Sequence, residues 1–160
     1  MGRWSHITIG AKKNYKVTII NAYRPCKQSH EKGISTTTTQ QWDMLEELEQ
    51  ESTNIRDKMI DDLTKYINKL IVDHHKFLLF IDANESLTPD SGIAKLLRNT
   101  KMIDPITIRH GLRNIPNTHL SGSDIIDYCF CTDVINNFIK KNAELLHTIY
   151  FHQLITEVDI

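Results

Sequence analysis

A chain of 160 residues with 40% hydrophobic and 24% charged residues has the length and composition of one globular domain, or of a piece of a larger one. The formal net charge of −1 excludes a global positive field, so any contact with nucleic acid requires a local basic patch. No apolar segment approaches the roughly 18 residues of a membrane span and the first residues have no signal-peptide core, so we expect a cytoplasmic or nuclear location.

The three cysteines, Cys26, Cys129 and Cys131, are an odd number and show no C-x-x-C spacing. This pattern predicts free thiols in a reducing compartment rather than a disulfide framework or a zinc site. Cys129 and Cys131 alternate along one side of a predicted strand, where small buried apolar residues are common.

The N-terminal part of the chain predicts a β-hairpin followed by two helices. Residues 4–9 alternate in polarity and residues 15–23 are rich in β-branched side chains, which is typical of paired strands. Thr38 has capping-box spacing to Gln41 and predicts the start of one helix. Asn54 predicts the cap of a second helix over about 56–72. Its core-facing stripe consists of Met59, Ile60, Leu63, Ile67, Leu70 and Ile71.

The middle of the chain contains five consecutive apolar residues, 77–81, followed by Asp82, Asn84 and Glu85. The apolar run predicts a strand buried on both faces, with polar groups where ligands of layered α/β proteins usually bind. If extended geometry persists, Asp82 and Asn84 point the same way and can hold a water, a phosphate or a hard metal ion. The alternative is an Asx-rich turn in which one of the two caps the next element.

The last third of the chain predicts shorter elements around one carboxylate, Asp127. Residues 125–132 read as an apolar strand that Asp127 interrupts, and a buried carboxylate is costly unless it is paired. We therefore expect a partner for Asp127. The other predicted elements are a short helix at 91–98, a mixed segment at 102–108, a helical turn at 133–138 and a last strand at 145–151.

A polar loop at 109–123 allows two interpretations, a solvated loop or a phosphate-facing loop. Its cationic and amide residues are Arg109, His110, Arg113, Asn114, Asn117 and His119. The overall alternation of elements predicts an α/β (α+β) fold, in which a mixed sheet is covered by helices on its outer face.

Three motifs stand in order along the chain: INAYRP at 20–25, IDANE at 81–85 and THLSGSDIIDY at 118–128. The set resembles the endonuclease/exonuclease/phosphatase superfamily, which includes apurinic endonucleases, DNase I and the endonuclease domains of non-LTR retrotransposons. The resemblance extends from about Arg3 to about Thr132. It implies a partial DNase I-like α/β/β/α sandwich, with residues 1–160 forming a domain that lacks its N-terminal half.

The resemblance implies metal-dependent hydrolysis of a phosphodiester, with Mg²⁺ or Mn²⁺ as the cofactor. It does not identify the metal ligands. Tyr23 matches the tyrosine that contacts the scissile phosphate, and Asp82 the aspartate that orients or deprotonates the attacking water. Asn84 matches the asparagine that binds a phosphate oxygen, and Asn21 joins Tyr23 and Asn84 in the phosphate-binding set. Asp127 matches the buried aspartate that holds the ring of a catalytic histidine.

Two departures from the family pattern lower the activity that we expect. The family's N-terminal half supplies an early asparagine and the principal metal-ligand glutamate, and we expect both to be absent. The family's terminal Ser-Asp-His does not occur in this sequence, and His152, the nearest histidine, follows Phe151 where the aspartate belongs. We therefore expect a weak or inactive enzyme.

Two alternative hypotheses remain. One is a catalytically inert remnant or interaction module of the same fold, derived from a mobile element. The other is an unrelated α/β binding protein. The expected partners are a nucleic acid or another phosphodiester substrate, together with the missing half or a second copy of the chain, and no membrane. The superfamily acts on DNA, RNA, inositol phosphates and sphingolipids, so the resemblance leaves all four substrate classes open.

Overall fold

The computed structural model describes residues 4–10, 15–26, 39, 43, 54–111, 115, 118 and 124–141. Within these residues, four strands and four helices form the mixed α/β fold that the sequence predicts. The helix predicted from Thr38 and the strand predicted at 145–151 lie outside the described residues, except that Thr39 and Asp43 are helical. The elements are β1 (Trp4–Gly10), β2 (Lys16–Tyr23), α1 (Ile55–Val72), β3 (Lys76–Asp82), α2 (Gly92–Thr100), α3 (Pro105–His110), β4 (Asp127–Cys131) and α4 (Asp133–Lys141).

The four strands form one mixed sheet in the order β1-β2-β3-β4. β1 and β2 are antiparallel, as the hairpin pattern predicts, β2 and β3 are parallel, and β3 and β4 are antiparallel. The connection between the parallel strands contains α1, as parallel pairing requires a long crossover. The C-terminal ends of β2 and β3 therefore lie at the same edge of the sheet, and β4 begins there.

The core lies between one face of the sheet and the helices α1 and α2. Phe77, Leu79 and Ile81 of β3 are at most 2% exposed and pack in one cluster with apolar residues of both helices. Leu78 and Phe80, which alternate with them, are only half-buried. Among the described residues, the prediction that β3 is buried on both faces is wrong at Leu78 and Phe80, although their register partners on β4, Cys131 and Cys129, are buried on that same face.

The second face of the sheet carries apolar residues that are exposed on β1 and half-buried on β2 and β3. Ile7 and Ile9 of β1 are 60% and 51% exposed. Strand register places Ile7 beside Ile19 of β2, and Ile19 beside Leu78 of β3. With Phe80, which has the same strand parity, these five residues form what we call the open face. The open face is the surface that a two-layered sandwich would bury.

The helix ends follow the capping residues in the sequence. The Asn54 side chain accepts hydrogen bonds from the backbone N–H groups of Arg56 and Asp57, so the predicted cap of α1 is confirmed. The segment predicted as mixed contains α3, because Asp104 caps it and Pro105 occupies its first turn. Among the described residues, no helix combines the length and apolar character that crossing a membrane requires.

The three cysteines are free thiols, as predicted. Cys129 and Cys131 are buried, and burial is the first cause that raises the pKa of the Cys129 thiol to about 12 and that of Cys131 to about 11. Both therefore stay protonated near neutral pH and serve as small apolar residues of the sheet. Cys26 is exposed.

Candidate functional site

Three of the candidate site residues form a row across the end of the sheet. Tyr23 is the register partner of Asp82, and Asp82 is the register partner of Asp127. Directly opposed residues of neighbouring strands have side chains on the same face, about 5 Å apart. The row has the strand parity of Leu78 and Phe80, so it continues the open face to the edge of the sheet.

Backbone hydrogen bonds extend the sheet past this row. The Arg24 N–H donates to the Asp82 carbonyl at 2.8 Å, and the Ala83 N–H donates to the Ile126 carbonyl at 2.8 Å. Asn21 lies two residues before Tyr23 with the same parity, opposite Phe80, and is exposed. The structure therefore brings Tyr23, Asp82 and Asp127 together and sets Asn21 one step further from the edge.

Asp127 differs from its predicted environment. It is exposed and is the first residue of β4, rather than a buried carboxylate inside an apolar strand. The strand begins later than the pattern of residues 125–132 predicts, and the N–H groups of Ile126 and Asp127 donate to Thr118 Oγ1 at 2.9 and 3.1 Å. An exposed carboxylate is solvated by water and needs no buried partner. The expectation that Asp127 is buried is wrong, so burial no longer requires a partner for it.

Asn84 lies in a turn just after the end of β3. Its φ of 48° is left-handed, a conformation that asparagine tolerates better than most residues. The Asn84 N–H donates to Asp82 Oδ1 at 3.1 Å, and Asn84 Nδ2 donates to the Arg24 carbonyl at 2.8 Å. Extended geometry does not persist beyond Asp82, so the turn interpretation describes this segment. The amide nitrogen carries a second N–H, which is a donor that an anion can accept from.

Neither Asp82 nor Asn84 caps the helix that follows the turn. Ser91 is the N-cap of α2 and accepts a hydrogen bond from the Ala94 N–H. Glu85 Oε1 accepts a second one from the Ile93 N–H at 2.9 Å. Because other residues cap α2, the Asp82 and Asn84 side chains stay at the sheet edge.

The exposed thiol of Cys26 joins two of the candidate residues. Cys26 Sγ donates to Asn84 Oδ1 at 3.0 Å, and Tyr23 Oη lies 3.9 Å from the same sulfur. The sequence motifs indicate no site role for Cys26. Its position three residues after Tyr23, directly behind Pro25, is the signal that places it at this edge.

Tyr23 keeps its phenolic proton near neutral pH. Burial raises the pKa of Tyr23 first, and Cys26 and Asp82 raise it further, while the Asn84 side chain acts in the opposite direction. A protonated phenol is a hydrogen-bond donor. Tyr23 can therefore donate to an anion at this edge.

Behind the turn lie two arginines for which the sequence motifs predict no role. Arg24 and Arg56 are 2% and 8% exposed, and both pair with Glu85. We call Arg24, Arg56 and Glu85 the arginine cluster. Arg56 also stands in the first turn of α1, where a cation opposes the helix dipole. This unfavourable position of Arg56 is the feature of the sequence that indicates a carboxylate partner for its guanidinium group.

The cluster combines two buried guanidinium groups with one half-buried carboxylate. Burial, followed by the charge of Arg24, lowers the pKa of Arg56, and Glu85 opposes this shift. Burial alone would raise the pKa of Glu85, but the hydrogen bonds from Arg24 and the Ile93 N–H, with the charges of both arginines, hold it below its usual value. Exposed Asp57 lies 3.8 Å from Arg24 Nη2. The buried part of the cluster carries a net positive charge beside the site.

The donor atoms of the row fit a hard divalent cation. Asp82 and Asp127 are directly opposed like charges, an arrangement that destabilises a sheet unless something relieves it. Mg²⁺ binds proteins through one or two carboxylates and keeps several of its waters, which is what this pair offers. In the part of the chain that the structure describes, no group of three or more His, Cys, Asp or Glu side chains is arranged to hold a metal.

The cationic loop is described only in part. Arg109, which is exposed, and His110 belong to the last turn of α3. Arg113, Asn114, Asn117 and His119 lie outside the described residues, as does His152. The phosphate-facing interpretation of this loop stays a prediction.

The structure of this chain shows a limited similarity to solved structures of other proteins. No protein-family model matches the sequence, and no curated protein matches it. The structure is similar to that of a beta hairpin deletion mutant of beta toxin from Staphylococcus aureus, with a TM-score of 0.45, 14% identity and coverage of 82% of this chain and 44% of that one. A structure of beta toxin 275-280 from the same organism gives a TM-score of 0.42, 14% identity and coverage of 82% and 43%.

This chain therefore spans less than half the length of the two toxin chains. At these identities and TM-scores the similarity carries no argument about activity. The function of the chain must be inferred from the geometry of its own sheet edge.

Proposed function

We propose that this sheet edge is one wall of a metal-dependent phosphodiesterase site of the endonuclease type. The observation that carries the proposal is the row of Tyr23, Asp82 and Asp127, with Asn84 in the turn beside it. Hydrolysis of a phosphodiester requires an oriented water, donors to the phosphoryl oxygens and a hard cation. Carboxylate, amide and phenol groups at one edge supply these functions.

Each residue of the edge has a role in this proposal. Asp82 orients the attacking water and accepts its proton, and Asp127 joins Asp82 in holding Mg²⁺ or Mn²⁺. The second N–H of Asn84 and the phenolic O–H of Tyr23 donate to phosphoryl oxygens. Asn21, exposed one step away, contacts the adjoining part of the substrate. A cation held by these carboxylates would supply Lewis-acid chemistry at the phosphoryl group.

A second candidate function is an inert interaction module of the same fold. The observation that favours it is that the polar groups of the site already bond to one another. Asp82 Oδ1 holds the Asn84 N–H, and the Asn84 amide bonds to Arg24 and Cys26 at its two ends. Such a network closes a turn without any ligand. Metal affinity separates the two functions.

The test is a titration of the isotope-labelled chain with Mn²⁺, followed by the paramagnetic broadening of backbone amide signals. We expect selective broadening at Tyr23, Asp82, Asn84 and Asp127, and its loss in Asp82→Ala. Asp73→Ala is the matched control, because Asp73 is an exposed aspartate that precedes β3 at the opposite end of the strand. Broadening that Asp82→Ala leaves unchanged would reject the metal site and favour the interaction module.

A further inference from the structure

The arginine cluster lies directly behind the turn that carries Asn84. We propose that Arg56 is a positioning residue, which sets the place of Asn84 at the sheet edge through its contacts with the backbone. The inference rests on the proposed function, since it assigns a new residue to the same site. Arg56 itself is buried, so we assign it no direct contact with a substrate.

One guanidinium group connects the two chain segments that end at the site. Arg56 Nη1 donates to the Pro25 carbonyl, just after β2, and Arg56 Nη2 donates to the Asn84 carbonyl at 3.2 Å. The same Nη2 lies 3.3 Å from Glu85 Oε2. A planar guanidinium has donors in a fixed fork, whereas a lysine ammonium is a single point charge. The distance between the two segments therefore depends on an arginine at this position.

Arg24 completes the connection through both its backbone and its side chain. Its carbonyl accepts from Asn84 Nδ2 at 2.8 Å, so Arg24 holds the amide that the proposal assigns to phosphate. Its side chain pairs with Glu85, and its Nε donates to the Arg56 carbonyl at 3.2 Å. The Asn84 amide and the arginine cluster thus form one hydrogen-bonded unit.

The cluster also packs against Gly92 without spare room. A Cβ atom at Gly92 would lie 2.6 Å from Arg24 Nη2 and 2.9 Å from Arg24 Cζ. Such distances are too short for a contact, so any larger residue at position 92 displaces the Arg24 guanidinium. Gly92 therefore offers a second way to disturb the unit without changing Arg56.

A gain in stability does not by itself explain why two arginines are buried beside Glu85. Burial of two guanidinium groups against one carboxylate is costly, and apolar residues of similar volume often stabilise a core as well or better. The unit holds Asn84 in a left-handed conformation, and strained backbone of this kind clusters at functional sites. Precise placement of a group that binds the reacting phosphate is the gain that offsets the cost.

The experiment compares Arg56→Lys, which keeps the charge but loses the fork, with wild type and with Arg98→Lys. Arg98 is the matched control, because it also donates to a backbone carbonyl, that of Pro89 at 2.8 Å, but is exposed and away from the site. The readouts are the NMR signals of the Asn84 side-chain NH₂ and the affinity for inorganic phosphate in the presence of Mg²⁺. We expect Arg56→Lys to shift these signals and weaken phosphate binding about tenfold or more.

We expect Arg98→Lys to change neither readout. If Arg56→Lys lowers the melting temperature but leaves the Asn84 signals and the phosphate affinity at wild-type values, the role of Arg56 is structural and the inference is wrong. If Arg56→Lys does not fold, Arg56→Gln, which also lacks the guanidinium fork, takes its place with the same expected shifts. If the wild-type chain binds neither Mn²⁺ nor phosphate, the proposed function fails, whereas the Asn84 signals still decide whether Arg56 positions this residue.

Discussion

Glu85 is the residue on which the charge balance behind the site depends. Two buried arginines share its carboxylate, and the Ile93 N–H donates to it as well. Among the described residues it is the one carboxylate that contacts both guanidinium groups at less than 3.5 Å. A change at Glu85 therefore leaves a buried positive charge without compensation, which is among the costly defects of a protein interior.

The pH dependence of stability tests this role. The pKa of Glu85 is lowered in the folded chain, so its carboxylate stabilises the fold above the unfolded value near 4.5, and this contribution is lost as the pH falls through the folded pKa. We expect Glu85→Gln to cost about 3 kcal/mol at pH 7 and progressively less in acid. Urea unfolding of both proteins between about pH 7 and pH 3 measures this difference. A difference that does not change with pH would contradict the assignment.

Asp82 is expected to contribute little to stability. Its Oδ1 accepts from the Asn84 N–H, and the amide oxygen of an asparagine can accept the same bond. Asp82→Asn also removes the repulsion from the opposed Asp127, so we expect a change in the free energy of unfolding within about 0.5 kcal/mol, or a gain. Denaturant unfolding measures it. A loss as large as that of a core truncation would make Asp82 a structural residue.

At the scale of the elements, β3 has one face in the core and one at the open face. Leu79 is fully buried, whereas its neighbour Leu78 is half-buried on the other side of the sheet. We expect Leu79→Ala to destabilise the chain by about 2–5 kcal/mol and Leu78→Ala by less than half as much. Leu78 is the matched control, since residue type and strand are the same. Equal losses in denaturant unfolding would mean that both faces of β3 are core.

The extent of some strands can be predicted from the sequence, whereas the start of β4 cannot. The alternation in β1 and β2 and the apolar run of β3 follow from local composition, and so does the Asn54 cap of α1. The start of β4 could not be predicted. Ile125 and Ile126 are apolar but precede the strand, because the Thr118 hydroxyl takes the N–H groups of Ile126 and Asp127. That bond joins residues that local periodicity does not relate.

At the scale of the whole molecule, the open face presents exposed isoleucines on an edge strand. Among the described residues, β1 has a strand neighbour on one side only, and such an outer edge is a template for further pairing. We expect the chain to self-associate through this surface, and Ile7→Lys with Ile9→Lys to abolish association. Ile108→Lys is the control, since Ile108 is similarly exposed, at 55%, on α3. Sedimentation velocity measures association, and a monomeric wild type would contradict this prediction.

The activity of the whole chain is expected to be low. A cation held by two exposed or half-buried carboxylates and by water binds weakly. We therefore expect turnover on plasmid or abasic DNA below about 0.01 per second, against roughly 1 to 1,000 per second for typical enzymes. Metal-dependent cleavage at an enzyme-like rate that Asp82→Ala abolishes would overturn this prediction.

The sequence by itself determined the fold class, the approximate extent of β1, β2, β3 and α1, and the presence of polar residues at strand ends. These properties depend on periodicity and capping over a few neighbouring residues, so composition is enough to predict them. Only the tertiary structure decided that Asp127 is exposed, that Asn84 turns back toward Arg24, and that Arg56 is buried behind the site. Each of these depends on strand register and on charge pairing between segments about 30 to 60 residues apart, which local pattern does not encode.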